Sequence, residues 1–274
     1  MEKWLFMNNT ILNYKICSDN KHQLSHTKPI IVFIHCFATS SALFVKQIRY
    51  LKRKYDLVLI DLPSHGKSKI QLTDIQNSYK AVVNEIIKVL DALNIEKAHF
   101  VGCSLGTFFL KYFLLYHSER VDKSVMLGCV GKYSFLHSFI LKLGQPLITL
   151  LPYKVFCYII ATAVMPSKIS KDVKDLFMRC CLKFPKVEFS AYMTLFAKYP
   201  RLNKEYVRRL NAKELDTSKI LYISGNRDIV FLPTITEELK KIENSYMVNN
   251  CGHLCNFDQD KKVNRLIEMF LGNN

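Results

Sequence analysis

Ser104 stands between two glycines in Gly102-Cys103-Ser104-Leu105-Gly106, directly after the short apolar run Ala98 to Val101. The residues that follow, Thr107 to His117, are apolar at helical spacing. The order is therefore strand, sharp turn, helix, and this context says more than the five-residue pattern alone. A turn of that kind holds a serine in a strained conformation with its Oγ projecting outward. The free N–H groups of the following helix, starting with that of Leu105, then face the point where an oxyanion would form. The competing reading is a glycine-rich turn carrying a solvated serine. A serine hydroxyl is a poor nucleophile at neutral pH. It needs a base in hydrogen-bond reach, a group to orient that base, and donors for the oxyanion.

Of the eight histidines, only His253 falls in a loop after the last strand-like run, in Asn250-Cys251-Gly252-His253-Leu254. His22 and His26 lie in a polar N-terminal stretch, His99 inside a strand, and His117 at a helix end. By itself His253 reads equally as an ordinary loop residue. Cys251, His253 and Cys255 also raise a metal site, but the spacing does not match a common zinc knuckle and a fourth ligand is not evident. Asp228, in Gly225-Asn226-Arg227-Asp228, follows another strand and in isolation would be a turn carboxylate. The chain order Ser, Asp, His is the one expected when Gly-x-Ser-x-Gly supplies the nucleophile. The oxyanion donors would be the backbone N–H groups of Leu105 and of Phe37, which follows the run Ile30 to Ile34.

The elements that must position these groups can be read from periodicity. Lys3 to Met7 and Ile11 to Cys17 are expected as a strand hairpin. Ile30 to Ile34, Tyr55 to Ile60, Ser124 to Val130, Ile220 to Ser224 and Ser245 to Val248 are apolar runs of strand length. Ser40 to Leu51, Ser78 to Leu93 and about Asp258 to Leu271 have helical spacing. The alternation predicts an α/β fold with a mostly parallel central sheet and helices on both faces. Gly131 to Asp216 breaks the alternation. It contains no convincing strand, and Pro146, Pro152, Pro166, Pro185 and Pro200 divide it. It reads as a helical insertion.

Composition narrows the function classes. The chain has 274 residues, 49% of them hydrophobic, enough for a sizeable core. The segment Leu147 to Met165 is broken by Pro152 and Lys154, which argues against a spanning helix. No secretory signal is evident at Met1 to Asn9. Nine cysteines without a Cys-x-x-Cys pair point to free thiols in a reducing, cytoplasmic setting. The net charge of +16 carries no run of five basic residues and no basic-aromatic repeat, so nucleic acid is not an expected partner.

Five segments together resemble the α/β-hydrolase fold family. They are Val32-Phe33-Ile34-His35-Cys36-Phe37, Asp61-Leu62-Pro63-Ser64-His65-Gly66-Lys67-Ser68, Val101-Gly102-Cys103-Ser104-Leu105-Gly106, Gly225-Asn226-Arg227-Asp228 with Pro233, and Gly252-His253. The resemblance implies an α/β-hydrolase core over 1–130 and 216–274 and a helical cap over 131–215. It implies Ser104 as nucleophile, His253 as base, Asp228 as its orienter, and Phe37 and Leu105 as the oxyanion hole. It calls for no metal or other cofactor. His35, Phe135 and Phe139 are the expected substrate contacts. Two departures stand out: Cys36 and Thr107 occupy positions where the family usually has glycine. A serine nucleophile separates this chain from the fold's epoxide hydrolases and haloalkane dehalogenases, which use aspartate. Leu105 separates it from proline iminopeptidases, which carry tryptophan there. Ester, thioester or carrier-protein ester hydrolysis and carbon–carbon bond hydrolysis stay open, as does a non-catalytic ligand-binding member of the fold. The expected substrate is a small-molecule ester with an apolar acyl group.

The inserted segment is both apolar and basic. Between Gly131 and Asp216 there are 15 Lys and Arg against six Asp and Glu, a net of +9. Its apolar residues either pack the cap onto the core or also line an acyl tunnel. Its charge is either a solvated face or a surface for an anionic partner, an acidic carrier protein or a phospholipid surface. Cys36, Cys103, Cys251 and Cys255 flank the chemical motifs and are small buried hydrophobes or oxidation-sensitive thiols.

Overall fold

The structure, a computed structural model, describes residues 12–18, 23–25, 27–132, 146–148, 150–164, 171–228, 235 and 238–272. The expected strand at Lys3 to Met7, His22, His26 and Pro233 lie outside them.

Seven strands form one sheet: β1 (Tyr14–Cys17), β2 (Ile30–Ile34), β3 (Asp56–Ile60), β4 (Ala98–Cys103), β5 (Val121–Leu127), β6 (Ile220–Gly225) and β7 (Asn244–Val248). Their order is β1-β3-β2-β4-β5-β6-β7, with β1 antiparallel to β3 and every other pair parallel. Strands β3, β4 and β6 are buried along their whole length, as continuous apolar runs covered on both faces must be.

The helices are α1 (Val45–Leu51), α2 (Tyr79–Ala92), α3 (Leu105–Tyr116), α4 (Tyr153–Val164), α5 (Lys171–Lys183), α6 (Lys186–Asn211) and α7 (Asp260–Gly272). A right-handed crossover from β2 through α1 to β3 runs one way along the sheet. Those through α2 and α3 run the other way, which puts them on the other face. The packing agrees: α1 lies against α7, and α2 against α3. Helix α2 starts where Ser78 accepts a hydrogen bond from the Ala81 N–H (3.1 Å) and buries Val82, Val83, Ile86, Val89 and Leu90.

Several boundaries differ from the sequence reading, two of them near the site. Strand β5 runs Val121–Leu127 rather than Ser124 to Val130, because Gly128 takes φ +56° and turns the chain out of the sheet. The C-terminal helix is split into a short turn, Cys255–Asp258, and α7. Between β5 and β6 the described residues hold helices and no strand. Among the described residues no helix is long and apolar enough to cross a membrane.

The direction of the crossovers reverses between β2 and β4. Ligand sites in open α/β sheets form beyond the carboxyl ends of the strands at such a reversal. Ile34 pairs with Gly102, Cys103 with Leu127 and Leu127 with Ile223, so the loops after β2, β4, β5 and β6 emerge side by side.

Candidate active site

Ser104 is placed by a turn that its neighbours force. Its backbone adopts φ +49° and ψ −108°, a region that non-glycine residues rarely visit and that costs about 1–3 kcal/mol. Three hydrogen bonds hold it there. The Ser104 N–H donates to Leu127 O (2.9 Å), and its own carbonyl accepts from the Thr107 N–H (2.8 Å) and the Thr107 Oγ1 (2.6 Å). The departure at Thr107 thus contributes a hydroxyl that braces the turn. Gly106 permits the first turn of α3 to lie against the end of β2: a Cβ there would stand 2.2 Å from Ile34 O.

The loop after β6 is stitched to the loop after β7. The Asn226 N–H donates to Val248 O (2.9 Å), the Arg227 N–H to Cys251 O (2.9 Å), and the Asp228 N–H to Gly225 O (3.2 Å). These bonds carry Asp228 to His253. Asp228 Oδ2 lies 2.7 Å from His253 Nδ1, and His253 Nε2 lies 2.7 Å from Ser104 Oγ. His253 and Asp228 are buried, while Ser104 keeps partial exposure. The structure therefore brings together three residues 25 to 149 positions apart. Burial opposes protonation of His253, but the Asp228 charge and hydrogen bond outweigh it and hold the imidazole pKa above its ordinary value. With Nδ1 on Asp228 and Nε2 on Ser104, the ring has no nitrogen to offer a metal beside Cys251 and Cys255. Among the described residues no group of His, Cys, Asp and Glu is arranged to hold a metal ion.

The Phe37 N–H lies on the loop after β2 and the Leu105 N–H at the start of α3, and neither has an acceptor among the described residues. Cys36, where glycine was expected, turns its sulfur to Thr39 Oγ1 (3.3 Å) and is almost fully buried. The Phe37 ring is enclosed by aromatic side chains, with Phe184 at 5.6 Å, Phe189 at 4.8 Å, Tyr192 at 5.4 Å and Phe196 at 5.1 Å between centroids. The helices inserted between β5 and β6 thus pack directly on this loop.

His35 was expected to touch substrate, and the structure corrects this. Its side chain is fully buried, and both ring nitrogens are taken: Nδ1 donates to Cys36 O (2.8 Å) and Nε2 accepts the Leu62 N–H (3.0 Å). His65 makes the reciprocal clamp, Nδ1 to Pro63 O (2.8 Å) and Nε2 from the Ala38 N–H (3.0 Å). The two rings lie 5.0 Å apart and fasten the loop after β2 to the loop after β3. Asp61 serves the same end, accepting from the Ser41 N–H (2.8 Å), the Lys67 N–H (3.0 Å) and Asn13 Nδ2 (2.7 Å). Phe135 and Phe139 lie outside the described residues.

Both clamps need a neutral imidazole, since a protonated Nε2 cannot accept an amide. Burial lowers the pKa of His35 and of His65, the latter strongly. A histidine depressed in the folded state binds more protons when unfolded. Its stabilisation is therefore complete above the unfolded value of about 6.5 and is lost progressively as pH falls below it. The melting temperature is expected to drop as pH is lowered from 6.5 to 5. His65→Gln is expected to flatten that dependence while lowering the plateau. A melting temperature that is level across this range would contradict the assignment.

Sequence reasoning did not single out Gly128 as part of the site. A Cβ on Gly128 would lie 2.4 Å from His253 O. The glycine itself was visible, but its closeness to His253 depends on the lateral order of β5 and β6. A surface cleft lined by Asp91, Asn94, Ile95, Glu96, Glu119 and Arg120 sits at the amino ends of β4 and β5, away from this chemistry.

Comparison with known proteins gives the same class. The profile described as "alpha/beta hydrolase fold" matches residues 29–145. Monoacylglycerol lipase ABHD6 of Mus musculus is 24% identical over 94% of this chain and 80% of its own length. 3-oxoadipate enol-lactonase 1 of Acinetobacter baylyi is 37% identical over 93 residues, a match that spans 34% of each chain. Among solved structures, a hydrolase from Pseudomonas aeruginosa superposes with a TM-score of 0.80 at 16% identity, over 99% of this chain and 98% of that one. The enol-lactonase from Burkholderia xenovorans superposes with a TM-score of 0.77 at 16% identity, over 99% of this chain and all of that one. The chain has the α/β-hydrolase fold, and residues 29–145 match the profile of that family.

Proposed function

We propose that this hydrolase cleaves carboxylic esters with an apolar acyl group through Ser104, His253 and Asp228. The observation that carries the reading is the pair of 2.7 Å contacts running from Ser104 Oγ through the His253 ring to Asp228. His253 Nε2 takes the Ser104 proton as Oγ bonds to the ester carbonyl carbon. The carbonyl oxygen becomes an oxyanion that accepts from the Phe37 and Leu105 N–H groups. His253 then returns the proton to the alkoxide, which leaves as the alcohol and gives an acyl-Ser104. Water repeats the cycle: its proton goes to His253 and its oxygen attacks the acyl carbon. The proton then passes to Ser104 Oγ as the acid departs. Asp228 stays ionised and keeps the imidazole oriented. No step calls for a metal or an organic cofactor.

Residues 131–215 act as a cap in this proposal. The reading is supported by α6, whose Phe189, Tyr192 and Phe196 close around Phe37 beside the nucleophile turn. A basic cap with Val155, Tyr158 and Ile159 exposed on α4 beside Lys154 suits an anionic lipid surface better than a carrier protein, which needs charge alone. A cyclic ester is the second substrate reading, favoured by the two enol-lactonases among the relatives.

The test is hydrolysis of p-nitrophenyl esters from acetate to palmitate across pH. The expected kcat/KM rises with acyl length to an optimum. It falls in acid through an apparent pKa above the ordinary 6.5, because the base must be neutral and Asp228 raises its pKa. An acid limb at or below that value, or no preference for acyl length, would contradict the proposal.

A further inference from the structure

Two sulfurs outside the site stand closer than unbonded atoms pack. Cys157 Sγ on α4 and Cys181 Sγ on α5 are 2.8 Å apart. An ordinary sulfur contact in the same chain, Cys129 Sγ to Met126 Sδ, measures 3.9 Å. A disulfide spans about 2.05 Å, so closing the gap needs only a side-chain adjustment. We propose that Cys157 and Cys181 are a disulfide-forming pair that locks α4 to α5 in the presence of a peroxide. Both residues are free thiols here and both are fully buried, so the oxidant has to be as small as hydrogen peroxide.

The Cys181 S–H donates to Cys157, and that hydrogen bond lowers the Cys157 thiol pKa while raising that of Cys181. Cys157 is accordingly the first to react. Its thiolate attacks one peroxide oxygen, the O–O bond breaks, and a sulfenic acid and water form once the hydroxide takes a proton. Cys181 then attacks the Cys157 sulfur, the S–S bond forms, and the sulfenic oxygen leaves as a second water. Overall two thiols lose two hydrogens and one peroxide becomes two waters.

The bond bears on the site through its immediate surroundings. The Tyr153 hydroxyl lies 3.0 Å from Cys181 O and 2.6 Å from Phe184 O. The Phe184 ring packs on His65 at 4.5 Å and on Phe37 at 5.6 Å. A staple between Cys157 and Cys181 would therefore fasten the wall that stands over the loop after β2.

The experiment treats the intact protein with hydrogen peroxide, unfolds it, alkylates free thiols with iodoacetamide and maps the peptides. The expected product joins the Cys157 and Cys181 peptides with the loss of two hydrogens, and both disappear from the alkylated pool. The linked segments are 24 residues apart, so the melting temperature is expected to rise by roughly 5 °C and to return with dithiothreitol. Cys180→Ser should leave the product unchanged and Cys181→Ser should remove it. Alkylation of both residues after treatment, a sulfinic acid at Cys157, or a link to Cys180 would overturn the pairing.

Discussion

Replacing Ser104 by alanine is expected to lower kcat/KM for an activated ester by about 10⁴- to 10⁶-fold, the range seen when a triad nucleophile is removed. The variant should fold. Alanine is smaller than serine, and the three hydrogen bonds that hold the turn use the backbone of residue 104 and Thr107. The expected loss for Asp228→Asn is smaller, about 10⁴-fold, because it leaves the base in place but in the wrong tautomer. Steady-state kinetics beside circular dichroism separates loss of chemistry from loss of fold. A Ser104→Ala protein that keeps more than a tenth of the activity would place the nucleophile elsewhere.

The second large effect is one of stability. Lys111 projects from α3 into the interior with no exposed surface. Its Nζ lies 2.7 Å from Glu238 Oε2, 2.6 Å from Asn203 Oδ1, 3.0 Å from the Tyr199 hydroxyl and 3.2 Å from Val130 O. Burial opposes the charge, but the adjacent Glu238 carboxylate helps to outweigh it, and the Lys111 pKa is raised. One ammonium thus ties the helix behind Ser104 to α6 and to the segment before β7. Lys111→Met removes the cation and strands Glu238 in the interior. Breaking a buried pair this way costs about 3–5 kcal/mol, or roughly 10 °C in melting temperature for a domain of this size. Adding Glu238→Leu to Lys111→Met is expected to recover much of the loss, since neither charge is then left alone. Denaturant unfolding of the two single variants and the double variant reads the coupling. A Lys111→Met protein within 1 kcal/mol of wild type would contradict the account.

The difference between these two residues shows what a sequence exposes. Ser104 sits in a local pattern, and the strained turn it needs is written in the residues on either side. Asp228 and His253 are legible only in order, because the parallel sheet, not the chain, brings their loops together. The sheet itself could be read from seven apolar runs, and its strands fall where those runs lie. Lys111 gave no such signal. It interrupts the apolar helix Thr107 to His117 as any solvated lysine would, and its partners lie 19 to 127 positions away. His35 failed for a related reason. A histidine beside a reactive loop reads as a contact for substrate, yet its two nitrogens are consumed by backbone groups whose approach depends on the packing of two loops. Cys157 and Cys181 carry no motif at all, and only the crossing of α4 and α5 puts their sulfurs in reach.

The most direct test of the central claim is to treat the protein with a fluorophosphonate and locate the adduct by peptide mass spectrometry. The account predicts a single phosphonyl group on Ser104, formed fastest above the His253 pKa and lost in both Ser104→Ala and His253→Ala. An unlabelled protein, or a label on any other residue, would contradict it.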